Sequence, residues 1–203
     1  MKKIKIMRIK NYIDFINESK HHEFGCVMLE VPVSNWNEIT SSIDTSDIYT
    51  KKDDSTYGIQ KDPHITLLYG YDNSITPEMV KDVIGDVRLN IEGDYDDVSD
   101  RIEIERISSE PIEVEIDGID IFENKDFDVV KFNVKKSFIL QELHDELSTM
   151  PNSNKFKEYT PHITIAYVKK GTGKKYIREY KHKVKVDTVI YSMPSGKEVK
   201  FKL

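Results

Sequence analysis

Pro63-His64-Ile65-Thr66-Leu67-Leu68-Tyr69 returns 98 residues later as Pro161-His162-Ile163-Thr164-Ile165-Ala166-Tyr167. Five of the seven positions are identical and a sixth stays aliphatic, a self-similarity that marks a duplicated structural unit. The flanks repeat by pattern. Phe24–Val31 and Phe127–Val134 are rich in β-branched and aromatic residues and read as strands. Each precedes a helix signal: Asn35 with Glu38 has the form of a capping box ahead of Trp36, Ile39 and Ile43, and Ser137 precedes Leu140, Leu143, His144 and Leu147 at helical spacing. Turn-forming segments follow, 45–61 and 151–159, and each leads into a Pro-His-Ile-Thr strand. Thr76-Pro77-Glu78 then opens a helix expected to run through Ile84, with a shorter equivalent expected over Lys174–Tyr180. Strands near 112–116 and 184–191 are expected to close the half in which each occurs.

The order strand, helix, strand, helix, strand thus occurs twice. This predicts an α+β fold of two pseudo-symmetric lobes related by a twofold axis, their sheets forming a central cleft. The expected division is an N-terminal extension over 1–23 and one domain over 24–203. Within that domain, lobe one covers about 24–118 with an insertion at 88–110 that carries the acidic run Asp94–Asp100, and lobe two covers about 119–203.

Strict alternation in each Pro-His-Ile-Thr strand places His64, Thr66 and Leu68 on one face and Ile65, Leu67 and Tyr69 on the other, with His162, Thr164 and Ala166 matching the first set. The Ile, Leu and Tyr face is the one to bury, which leaves two imidazoles and two hydroxyls around one cavity. That set suits phosphodiester transfer, which needs a base for the nucleophile, an acid for the leaving oxygen, and donors for the non-bridging oxygens. Histidine titrates near neutrality and serves as either base or acid. A zinc site is the rival reading, but neither motif brings a Cys, Asp or Glu at ligand spacing on the same face.

Charge and length exclude other classes. The 203 residues carry a net charge of −6, unevenly spread. Residues 86–128 hold sixteen Asp and Glu against four Lys and Arg, while 155–203 hold thirteen Lys and Arg against four acids. A chain with that acidic block lacks the continuous basic track that a long duplex requires, and a small anionic ligand fits better. No apolar stretch approaches the ~20 residues of a membrane span, and Lys2, Lys3, Lys5, Arg8 and Lys10 interrupt any secretory signal. The single Cys26 sits in an apolar run, as a buried inert thiol does. Lys169-Lys170-Gly171-Thr172-Gly173-Lys174-Lys175 has the composition of a phosphate-holding loop without Walker spacing, or of a plain solvated turn. Tyr49, Tyr57, Phe156 and Tyr159 are candidate base-stacking platforms, with packing as the alternative. His21, His22 and His182 lie in polar segments, His144 reads as a packing or surface residue, and Trp36 reads as core.

Paired His-x-Thr motifs on duplicated lobes resemble the 2H phosphoesterase superfamily. The stretches FGCVMLEV, PHITLLYG, GIDIFENKDFDVVKFNV and PHITIAYVKKGTGKKY are similar to the phage anti-CBASS phosphodiesterases, which destroy cyclic oligonucleotide signals of a bacterial defence system. The resemblance runs from about Phe24 to the C-terminus. It implies His64, Thr66, His162 and Thr164 as catalytic residues, no metal or cofactor, and cyclic di- and trinucleotides cut at a 3′–5′ linkage as substrates. Family members also use an aromatic and a carboxylate near the nucleotide, for which Tyr191 and Glu198 are the candidates, beside Tyr57, Tyr159, Lys174 and Lys175. It further implies action in the cytoplasm of an infected bacterial host, with no membrane partner. A phosphodiesterase for 2′,3′-cyclic phosphate RNA ends, and a nucleotide-binding sponge without turnover, are the alternatives. Tyr12–Glu18 is similar to the capsid-targeting leaders of some tailed phages, in which cleavage after Glu18 would accompany packaging in the virion; a plain docking helix is the other reading.

Overall fold

The computed structural model describes residues 23–52, 57–91, 111–156 and 158–203. The expected N-terminal extension up to residue 22, the leader within it, and the 92–110 part of the expected insertion lie outside the described residues.

The elements in chain order are β1 (Gly25–Glu30), α1 (Trp36–Ser41), β2 (His64–Tyr71), α2 (Pro77–Ile91), β3 (Ile112–Glu123), β4 (Phe127–Val134), α3 (Phe138–Thr149), β5 (His162–Lys169), β6 (Arg178–Val186), β7 (Thr188–Ser192) and β8 (Glu198–Lys202). All eight strands join one sheet in the order β6-β3-β4-β5-β2-β1-β7-β8. Every strand pairing in it is antiparallel. The predicted duplication is present, with β1-α1-β2 answered by β4-α3-β5, and the two half-sheets are fused where β2 meets β5 at a single pair, Ile65 and Ile163.

The closing strands are exchanged between the halves. β3 lies beside β4, whereas β7 lies beside β1 with β8 beyond it. A chain division near residue 118 therefore does not follow the division of the sheet. The reason is local: β3 and β4 are joined only by Asn124–Asp126 and pair as a hairpin, the connection with the smallest loop-closure cost. The stretch 184–191 likewise divides at Asp187 into β6 and β7, and Lys174–Tyr180 holds a 3-10 turn (Gly173–Tyr176) followed by the start of β6.

Helix ends follow their sequence signals unevenly. Ser137 caps α3, its hydroxyl accepting from the Leu140 N–H, and Thr76 accepts from Met79 N–H ahead of Pro77. Asn35 makes no side-chain cap, because its amide oxygen accepts from the Tyr180 hydroxyl instead. The core fills one side of the sheet. Leu140, Leu143 and Leu147 of α3 are fully buried, as are Ile65, Leu68, Val27 and Leu29, and each such side chain contributes roughly 1.5–3 kcal/mol by leaving water. α3 lies against β2, and α1 against β5, so each half's helix covers the other half's central strand.

Beyond the Ile65–Ile163 pair the central strands take irregular segments as neighbours. β5 is flanked by the stretches around Ile48 and Ile59, with Gln60 N donating to Ile165 O and Tyr167 N to Gly58 O. β2 is flanked by the segment after α3, Ser153 N donating to Gly70 O. Gly70 is required there: its φ is +111°, and a Cβ would stand 2.7 Å from the Asn154 nitrogen.

Candidate active site

Strict alternation fails in the same place in both motifs. Along β1 and β2, Met28 faces Thr66 and the next residue, Val27, faces Leu68, so Leu67 is an extra residue. Along β4 and β5, Lys131 faces Thr164 and Val130 faces Ala166, so Ile165 is extra. Each motif thus contains a β-bulge, which reverses the facing of everything after it. Leu68 and Ala166 turn into the core, at 1% and 0% exposure. Tyr69 and Tyr167 turn onto the face of the histidines and threonines, contrary to the expected burial of both with the Ile and Leu set. The bulge carbonyls find partners elsewhere: Leu67 O is 2.7 Å from His144 Nδ1, and Ile165 O accepts from Gln60 N.

The antiparallel order around Ile65 and Ile163 directs His64 toward Thr164 and Thr66 toward His162, across the local twofold. Both imidazoles are held alike. His64 Nδ1 is 2.9 Å from Asp62 O, and His162 Nδ1 is 2.9 Å from Thr160 O. A carbonyl only accepts, so both Nδ1 atoms carry hydrogen and proton transfer falls to the two Nε2 atoms. Burial lowers both histidines, opposed at His64 by the Asp62 carbonyl and carboxylate. His162 is pushed down to about 4 by burial first, with Lys131 and His64 adding to the shift against the Thr160 carbonyl.

A histidine depressed in the folded state binds protons more readily when unfolded. Stability is therefore full above the unfolded value of about 6.5 and declines as pH falls toward the folded value. For His162 this amounts to on the order of 3 kcal/mol between pH 7 and pH 4. Urea unfolding across that range should show the decline, and His162→Gln should flatten it; an equally steep decline in the variant would exclude His162 as its source.

Two hollows flank the histidine pair. One, of about 370 Å³, is lined by His162, Thr164, Thr66, Tyr69, Tyr167 and Tyr159 among others. The other, of about 450 Å³, is lined by His64, Cys26, Glu30, Trp36, Glu198 and Lys200 among others. Tyr159 stacks on His144, ring centroids 4.4 Å apart and nearly parallel, with Phe156 at the same wall. The thiol of Cys26 is buried beside Thr66, and burial pushes it far above its ordinary range.

Of the residues expected at a ligand, Tyr159, Phe156 and Glu198 line these hollows and Tyr191, Tyr57, Tyr49, Lys174 and Lys175 do not. Tyr191 is fully buried on the opposite face, opposite Val27, and donates to Ile75 O. Tyr57 packs edge-on against Tyr49 and Tyr167 and beside Phe127, so it and Tyr49 support Tyr167 rather than form platforms. Lys174 pairs with Glu123 and Lys175 with Asp47. The glycine loop does hold an anion, but it is the protein's own. Asp128, fully buried, accepts from Gly171 N at 2.8 Å and Gly173 N at 3.3 Å, and pairs with Lys170 at 3.0 Å. A Cβ at Gly173 would meet that carboxylate. Asp128 follows Phe127 and precedes Val129, both on the histidine face, so it points to the other side.

Sequence reasoning passed over three residues. Lys131 is 3% exposed beside Thr164, bonded to Asn133 and lying 4.4 Å over the Phe122 ring. Phe122 in turn meets His162 edge-on at 4.9 Å. His144 is the third, a wall of the His162 hollow rather than a packing residue alone. Alternation within Phe127–Val134, which puts Lys131 on the face of Val129, was the available signal for Lys131; Phe122 lies on β3 and shares that face only through its pairing with Val129. Among the described residues, no three of His, Cys, Asp and Glu gather as a metal-binding group, and no helix is long and apolar enough to cross a membrane.

A duplicated antiparallel sheet that carries one His-x-Thr pair on each central strand, on one face, has the form of a two-histidine phosphoesterase. The chain belongs to the 2′-5′ RNA ligase superfamily, whose family model matches residues 31–187, and proteins of that superfamily are phosphoesterases acting on RNA ends or cyclic phosphates. Among curated proteins no relative matches. Similar solved structures include TT0787 of Thermus thermophilus, at 13% identity over 89% of this chain and 94% of that one, TM-score 0.49. Escherichia coli LigT complexed with 3′-AMP is similar at 10% identity over 88% and 94%, TM-score 0.49. Kluyveromyces marxianus Usb1 is similar at 9% identity over 90% and 99%, TM-score 0.47.

Proposed function

We propose that this protein is a phosphodiesterase that opens cyclic di- and trinucleotides at a 3′–5′ linkage, and that it acts for a phage by destroying CBASS signals in the cytoplasm of the infected bacterium. The observation that carries the enzymatic part is the pair of Nδ1-anchored imidazoles between two hollows of about 370 and 450 Å³. Each hollow is within the ~300–1,000 Å³ range of small-ligand sites, and together they suit a ring of two nucleotides with a phosphate at the centre. One imidazole removes a proton from the nucleophile, the ribose 2′-hydroxyl or water. The other protonates the departing 5′-oxygen, while Thr66 and Thr164 donate to the non-bridging oxygens. Such chemistry has no need of a metal. Tyr159 and Phe156 in the His162 hollow offer aromatic surface to a base. The phage role is supported by the likeness of the FGCVMLEV and GIDIFENKDFDVVKFNV stretches to anti-CBASS enzymes.

The family match favours a second reading, a phosphodiesterase of 2′,3′-cyclic phosphate RNA ends. The test is incubation of purified protein in EDTA with 3′,3′-cyclic dinucleotides, a cyclic trinucleotide, linear pApA and 2′,3′-cyclic AMP, products being identified by mass spectrometry. Opening of the cyclic oligonucleotides is expected. Turnover of 2′,3′-cyclic AMP alone moves the protein to RNA-end processing, and binding without turnover makes it a sponge.

A further inference from the structure

The two halves of the site are built on one plan but not from the same side chains. Bulge for bulge, Lys131 occupies on β4 the place that Met28 occupies on β1, each facing the motif threonine across the ladder. Asn133 likewise occupies the place of Glu30, each facing the motif histidine. The His162 side therefore has a buried cation and a neutral amide where the His64 side has a thioether and a carboxylate.

We infer that the histidines have fixed, different roles, His162 taking the proton from the attacking hydroxyl and His64 delivering one to the leaving oxygen, and that Lys131 is the positioning residue that sets this polarity. The assignment rests on the phosphodiesterase reading above. In the step, Nε2 of His162 removes the hydroxyl proton as the new P–O bond forms. The P–O5′ bond breaks, its electron pair stays on O5′, and that oxygen receives the proton from His64 Nε2. The pair ends with the same number of protons, now on His162.

The surrounding charges agree with that direction. His64 faces Glu30 from β1, Glu198 and Lys200 from β8, and Asp62 from the turn before its own strand; Lys200 is bonded to Glu30 at 2.8 Å. Around His162 stand Lys131 from β4, bonded to the facing Asn133, His144 from α3, and Glu158 and Glu123 at the rim of its hollow, with Asp120 opposite Lys131 on β3. Glu123 is engaged by Lys170 and Lys174. Lys131 pushes His162 down, while the Asp62 carboxylate holds His64 up against burial. When a phosphodiester anion favours one protonated imidazole between the two, the proton settles on His64.

A leaving group that departs without a proton separates the roles. On a cleaved cyclic dinucleotide, His64→Ala and His162→Ala should each lose about 10²–10⁴-fold. On a nucleoside 3′-(4-nitrophenyl phosphate), whose phenolate needs no acid, His64→Ala should recover to within about tenfold of the parent while His162→Ala stays inactive. Lys131→Met, which copies Met28, should move the acid limb of the kcat/KM profile upward by about one pH unit, because a less depressed base protonates sooner. Lys131→Arg should restore the limb. Imidazole NMR titration of the unmodified protein should find His162 below His64. Rescue of His162→Ala in place of His64→Ala, His64 titrating below His162, or an acid limb unmoved by Lys131→Met overturns the assignment. A parent protein that turns over neither kind of ester overturns the phosphodiesterase reading beneath it.

Discussion

Replacing both His64 and His162 by Ala in one chain is expected to cost little more activity than replacing either alone. In the proposed mechanism the two imidazoles serve one concerted proton relay, and groups that act as a unit are strongly non-additive. Each single variant should lower kcat by about 10²–10⁴-fold, with substrate affinity largely kept, since the hollows and both threonines remain. Steady-state rates of the four proteins, with binding measured by calorimetry, give the check. Fully multiplicative losses, or a single variant that keeps its turnover, would refute paired acid–base catalysis. Thermal unfolding of each variant above pH 7 separates lost chemistry from a lost fold, since the bond from each Nδ1 to a backbone carbonyl is lost with the ring.

The second large effect concerns stability. Asp128→Ala should destabilise the protein by about 3 kcal/mol, read as a lower urea midpoint, because it removes the carboxylate that accepts from two loop N–H groups and takes from Lys170 its buried counter-charge. Asp128→Asn keeps one acceptor oxygen but not the charge, and should fall between. The loss should reach the 44–47 segment, since the turn that Asp128 organises ends at Tyr176, whose hydroxyl donates to Asp47 and accepts from Asp44 N. A midpoint unchanged in Asp128→Ala would show that the loop closes without its carboxylate. In that case the glycine-rich segment would again be available to an external anion.

Asp128 illustrates why some of this site was hidden in the chain. The Lys-Gly-Thr-Gly-Lys run does what its composition indicates, presenting N–H groups and an ammonium to an anion. Composition does not say that the anion stands 43 residues earlier on β4. Tyr191 failed as a ligand candidate for a related reason. On an edge of the repeat its facing depends on pairing with β1, and that register turns it into the core. Alternation alone puts Tyr69 and Tyr167 on the wrong face because a period of two assumes no extra residue, and a bulge is a property of two paired strands.

By itself the sequence determined that the chain is a duplicated α+β unit, and that His64, Thr66, His162 and Thr164 share a side. Those conclusions need only identity at a fixed spacing and alternation over three residues, both of which are local and survive any partner. Only the tertiary structure decided that the halves fuse into one sheet with their outer strands exchanged. It also decided that both tyrosines turn toward the histidines, that Asp128 fills the glycine loop, and that Lys131 faces Thr164 where Met28 faces Thr66. Each of these depends on which strand lies beside which and in what register. Contacts between distant segments set that register, and a linear pattern carries no record of it.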